Sequence, residues 1–133
     1  MAGRGRRAHS RTVLAALPFR LDLRPLGGHV SGPTVTLVHG TPTLNTLYWT
    51  EDRPNTFRAT MAQLAGARAG DVIAFGHTHL PWHAEVDGIH SINAGSVGRP
   101  KDGDWRAGYV VLDVSSSAVA AAFLRTGGQL QAA

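Results

Sequence analysis

The chain has 133 residues, 43% of them hydrophobic, 17% charged and none of them cysteine. That is enough chain to bury one core without cross-links, and it excludes a disulfide scaffold, a thiolate zinc site and a cysteine nucleophile together. The formal charge of +4 is local: residues 1–24 hold six arginines and a single acid, whereas the rest carries seven basic and eight acidic side chains, so the body does not read as a nucleic-acid-binding domain.

Residues 1–11 read as a disordered basic leader whose only expected affinity is a weak one for polyanions, including nucleic acid. Thr12–Leu17 suggests a short helix stopped by Pro18. Pro18 and Arg20 interrupt the apolar stretch that would make a signal peptide, and Ala118–Leu124 is too short to span a bilayer, so no membrane partner is expected and a cytoplasmic location is. Phe19–Arg24 alternates apolar and polar residues with the period of a half-buried strand, and glycines and prolines between 25 and 33 mark a link. Thr34–Val38 is β-branched and continuous, a buried strand that runs into His39-Gly40-Thr41-Pro42.

Residues 43–54 have no period. A helix follows at about 55–66, with Asn55 as its cap and Phe57, Met61, Leu64 and Ala65 on one stripe. Val72–Phe75 is a short apolar strand leading straight into Gly76-His77-Thr78-His79. Trp82–Val86 and Ile89–Ile92 flank Asp87-Gly88, a dipeptide that favours a type I′ hairpin. Asn93–Gly98 is a glycine-rich loop, Gly108–Val114 and Ala118–Arg125 form a last hairpin, and 127–133 reads as a flexible tail. The expected fold class is α/β (α+β), mostly strands with one clear helix, and the folded unit runs over 12–126.

Of the seven histidines, three follow buried strands directly: His39, His77 and His79. Polar loops past the carboxyl ends of strands in an α/β sheet are where ligands collect, and neutral imidazole suits Zn, Mn, Fe, Co or Ni. The bland alternative is a loop histidine bonded to backbone, and an H-x-H pair alone does not separate the two. His9, His29 and His90 read as ordinary solvated side chains, His83 lies four residues past His79, and Trp49 and Trp82 read as core.

The three strings V-H-G-T-P, G-H-T-H-L-P and I-N-A-G-S-V-G-R-P, in that order, resemble the C-terminal half of a calcineurin-like metallophosphoesterase, in its small bacterial and archaeal phosphodiesterase branch. The resemblance runs from about Leu14 to Leu124 and implies part of a β-sandwich flanked by helices. It also implies a site of two divalent ions that hydrolyses a phosphate ester through a bridging hydroxide. By motif, His39 and His77 would bind the second metal and His79 the first. Gly40, Gly76, Asn93, Gly95 and Ser96 would line the site, the last three by packing backbone rather than by ligating; Ser96 is not set in a nucleophile elbow. Arg99 and Lys101 are candidates to meet the substrate phosphate.

The family's remaining motifs, D-x-H, a bridging G-D and G-N-H, have no counterpart placed to serve. Neither D-x-H nor G-N-H occurs, and Gly70-Asp71 opens the strand whose far end, at Gly76 before His77, is roughly 16 Å away at about 3.3 Å per residue. Asp102 and Asp104 read as a charged surface loop. No catalytic acid is identified. The chain alone is therefore expected to be inactive, as a truncated domain, as one half of a split enzyme whose partner chain brings the carboxylates, or as a non-catalytic scaffold, a role one family member fills in retromer. Uncovered apolar surface predicts self-association.

Overall fold

A computed structural model describes residues 2–24, 32–115 and 118–126. Helix α1 covers Ala2–Ala15, strands β1 and β2 cover Arg20–Leu23 and Val35–Val38, and helix α2 covers Asn55–Ala65. Strands β3 (Val72–Phe75), β4 (Trp82–Val86), β5 (Ile89–Asn93), β6 (Gly108–Val114) and β7 (Val119–Arg125) complete the described elements. The result is a mixed α/β fold dominated by strands.

Five strands form a mixed sheet in the order β1-β2-β3-β5-β4, and β6 pairs with β7 in a second sheet of two. β2, β3 and β5 are parallel, so their carboxyl ends lie side by side, while β1 and β4 run antiparallel at the two edges. The expected hairpin forms between β4 and β5, with Asp87 at φ 54° and Gly88 at φ 76°, the two positive angles a type I′ turn requires. Its turn is anchored by the Gly70 N–H, which donates to the Gly88 carbonyl at 2.8 Å.

The alternation of side chains along the strands assigns each face a role. One face gives Val38, Ile73, Phe75 and Trp82 to the core, where α2 adds Met61, Ala62 and Ala65. Trp49 lies within this core at 1% exposure, stacked on Phe75 with centroids 4.2 Å apart. On the other face Val72 and Ile92 are buried, yet Leu21, Leu23 and Leu37 stay exposed. Arg20 joins β1 to α2 by donating to the last helical carbonyl, Ala65 O, at 2.7 Å. Asp22 accepts from Thr36 at 2.7 Å and from Arg20 at 3.0 Å; burial raises its pKa, but these donors outweigh it and hold the carboxyl below its ordinary value.

Two local expectations differ from the structure. A disordered basic leader is expected over 1–11, but the chain is helical from Ala2, because alanine and arginine are strong helix formers; the described side chains of α1, from Arg7 on, are exposed. Asn55 is expected to cap α2, but Pro54 holds the N-cap at φ −66°, ψ 161°, and the Asn55 amide oxygen instead accepts from Arg58 at 2.9 Å. The tail at 127–133 and His29 lie outside the described residues. No helix among the described residues is long and apolar enough to cross a membrane.

Candidate metal centre

β2 and β3 end together, and each strand passes directly into a histidine loop. The Gly76 N–H donates to the His39 carbonyl at 3.0 Å, which ties the two loops at their roots. Past Gly40 the chain folds back on itself: Thr41 exchanges three hydrogen bonds of 2.9–3.1 Å with Leu44. This return is so tight that a Cβ on Gly40 would stand 2.6 Å from the Asn45 carbonyl oxygen, so only glycine fits there.

The folded-back loop sets the His77 ring from two sides. His77 Nε2 lies 3.1 Å from the Thr46 carbonyl, and the Tyr48 ring stacks on the imidazole at 4.3 Å with a 13° interplanar angle. On its other edge, His77 Nδ1 is 3.1 Å from His39 Nε2. A carbonyl only accepts, so Nε2 of His77 carries the proton and Nδ1 presents its lone pair toward His39. Two nitrogens that share one ion at about 2.0–2.1 Å each lie roughly 3.0–3.4 Å apart, so the pair already has the spacing of two ligands on a single cation.

His79 faces elsewhere. Its Nδ1 donates to the Arg99 carbonyl at 2.7 Å, leaving Nε2 as the lone-pair nitrogen, and its own carbonyl accepts from the Lys101 N–H at 3.2 Å. The main chain of 99–101 thus orients His79, while the side chains of Arg99 and Lys101 are exposed beside it. Both His77 (φ 70°) and His79 (φ 63°) are left-handed, a conformation non-glycine residues adopt only when surroundings enforce it.

Asn93 does much of the enforcing. It is fully buried at the end of β5, donates to the Gly76 carbonyl at 3.0 Å and to Thr78 Oγ1 at 2.9 Å, and accepts from the Gly95 N–H at 2.9 Å. One amide therefore fastens the loop of His77 and His79 to the Asn93–Gly98 loop. Gly95, at φ 76°, packs on Pro81, and Ser96 Oγ accepts from the Arg99 N–H at 2.9 Å while its carbonyl accepts from Gly108. Ser96 thereby helps hold the segment that orients His79.

The structure brings His39 and His77 together and leaves His79 adjacent but turned aside. Among the described residues no group of three or more His, Cys, Asp and Glu side chains is placed to hold a metal ion. The donors suit a borderline cation, but they are imidazoles alone and close no coordination shell. Asp71 is spent at the opposite end of the sheet, where its carboxylate accepts the N–H groups of Thr34 and Arg68 at 2.9 and 2.8 Å. Asp102 pairs with Arg125, and Asp104 with Arg106. Motif reading misses Tyr48 and the Thr46 carbonyl, which lie in the aperiodic 43–54 stretch; no local pattern signals a ring stacked on a residue 29 positions downstream.

Several solved structures share the fold of this chain. A conserved protein of Streptococcus pneumoniae described as a predicted phosphoesterase is 20% identical (TM-score 0.56) over 84% of this chain and 56% of its own. A metallophosphoesterase from Sphaerobacter thermophilus is 24% identical (TM-score 0.62) over 94% of this chain and 56% of its own. Entamoeba histolytica Vps29, in a complex with Zn²⁺, is 15% identical (TM-score 0.54) over 83% of this chain and 62% of its own. The chain thus spans little more than half the length of these structures. No curated protein matches it. The model of the calcineurin-like phosphoesterase superfamily domain matches residues 18–117, and the chain belongs to that superfamily.

Proposed function

We propose that this chain provides the imidazole side of a metal-dependent phosphoesterase centre, with His39 and His77 on one divalent cation and His79 on a second. The observation that carries the reading is the His39–His77 pair, 3.1 Å apart at adjoining ends of parallel strands. When bound, such cations polarise a phosphate ester and lower the pKa of a water molecule. The chain's own residues do the rest. The Thr46 carbonyl fixes the His77 tautomer, the Arg99 carbonyl fixes that of His79, and Asn93 holds both loops. The exposed Arg99 and Lys101 side chains stand where an anionic ester would approach. The carboxylate ligands come from polypeptide outside these 133 residues, since no D-x-H or G-N-H occurs in the sequence and no acid joins the histidines among the described residues.

Bound Mn²⁺ and hydrolysis of bis(p-nitrophenyl) phosphate, measured for the chain and for His77→Ala, test this. The expected result is Mn²⁺ binding that falls in the variant, with little turnover until a segment bearing the carboxylates is supplied. Turnover by the chain alone, lost in His77→Ala, would place the acids within these residues. Equal Mn²⁺ content in His39→Ala, His77→Ala and the unmutated chain would overturn the reading.

A non-catalytic scaffold is the second reading, favoured by the exposed apolar face of β1 and β2. It predicts that any partner bound by the chain is bound equally by the His39→Ala/His77→Ala double variant.

A further inference from the structure

β4 and β5 carry a second histidine cluster on the sheet face opposite the α2 core. The register sets Glu85 directly across from His90, and His83 diagonal to it across from Ile92. His83 Nε2 lies 2.9 Å from His90 Nδ1, and His90 Nε2 lies 3.9 Å from the Glu85 carboxylate. His90 is buried, whereas His83 and Glu85 are exposed at the rim. Five register pairs and the Asp87-Gly88 turn hold the two strands at a fixed separation, so the rings meet without any rearrangement of backbone.

The geometry points to a separate metal site here: a two-imidazole clip in which His83 Nε2 and His90 Nδ1 ligate one borderline divalent cation of the zinc type, with water in the remaining positions. The Glu85 carboxylate favours the proton of His90 on Nε2, which leaves Nδ1 as a lone pair directed at His83. In the metal-free chain the single proton between the rings resides on His83 Nε2. On cation binding that proton passes through solvent to His83 Nδ1, so the ring stays neutral and Nε2 is free to ligate. At 3.9 Å the Glu85 carboxylate is beyond hydrogen-bond distance and supports the ligand as a nearby negative charge. Burial, followed by the neighbouring His90, lowers the pKa of His83, which keeps its ring neutral and able to ligate at pH 7.

The clip is distinct from the candidate centre. His90 pairs with Val72 at the start of β3, while His77 lies beyond Phe75 at its end, so the two sites lie toward opposite ends of the sheet. No third side chain of ligand type joins it among the described residues. Open positions make it an exchangeable site, unlike the closed four-ligand shell of a structural zinc.

Titration with Zn²⁺ of the chain carrying His39→Ala, His77→Ala and His79→Ala tests the clip, with calorimetry for stoichiometry and long-range ¹⁵N–¹H imidazole spectra for location. One equivalent should bind and shift the His83 and His90 resonances. His83→Ala should abolish that binding, and Glu85→Gln should weaken it about threefold. Undiminished binding in His83→Ala overturns the proposal, as does Zn²⁺ that leaves the His83 and His90 resonances unmoved. Should the background variant fail to fold, titration of the unmutated chain decides the same question, because the two resonances are read individually.

Discussion

A single amide holds the candidate centre in shape. Asn93 makes three hydrogen bonds in a fully buried position, and two of them reach back 15 and 17 residues to Thr78 and Gly76. Asn93→Ala leaves the Gly95 N–H without its partner, while the Gly76 carbonyl keeps the Thr78 N–H at 2.8 Å, and a buried orphan costs about 1–3 kcal/mol. The expected loss in urea unfolding is about 2 kcal/mol; less than about 1 kcal/mol would show that backbone alone fastens the two loops. The N-A-G-S string marks Asn93 as a packing residue of the site, but its partners are not written in the string. They depend on β5 lying next to β3, a long-range fact. Tyr48 is the converse case, a residue in a stretch without period whose place on His77 arises only because the loop after Gly40 folds back.

Among the elements, the segment between β5 and β6 is held by ions rather than by apolar burial. The side chain of Arg106, then its backbone N–H, donates to Asp104 and lowers that carboxyl's pKa to about 2. A depressed carboxyl stabilises the fold above its unfolded pKa, near 3.8, and that contribution disappears as pH falls through about 2. A carboxyl ¹³C titration should therefore place the Asp104 midpoint near pH 2; a midpoint near 3.8 would mean that the Arg106 fork does not persist in solution.

Strands were the most legible elements, for a physical reason. β-branched runs such as Thr34–Val38 and the Asp87-Gly88 dipeptide carry their conformational bias locally. The insertion of β5 between β3 and β4 has no local signal. The helical state of residues 2–11 is hidden for the opposite reason, because a charged, glycine-containing stretch with good helix propensity has no apolar stripe to announce it.

Across the whole molecule, apolar surface and candidate chemistry adjoin. Leu14, Leu17, Phe19, Leu21 and Leu37 line a groove of about 590 Å³ that reaches His39 and Asn45. An apolar face of this kind, continued by the exposed Leu23, favours association over solvation. Light scattering on a dilution series should show concentration-dependent self-association, reduced by Leu21→Lys together with Leu37→Lys. A monomer at every concentration that binds no hydrophobic dye would show that this face is covered in solution. The same end of the molecule carries His77 and His79 at backbone angles that glycine reaches freely, at a cost of about 1–2 kcal/mol each for an imidazole-bearing residue. A cation that bound the folded form alone, as proposed for these loops, would offset that cost by mass action, so occupancy of the histidine loops and persistence of the fold would rise and fall together.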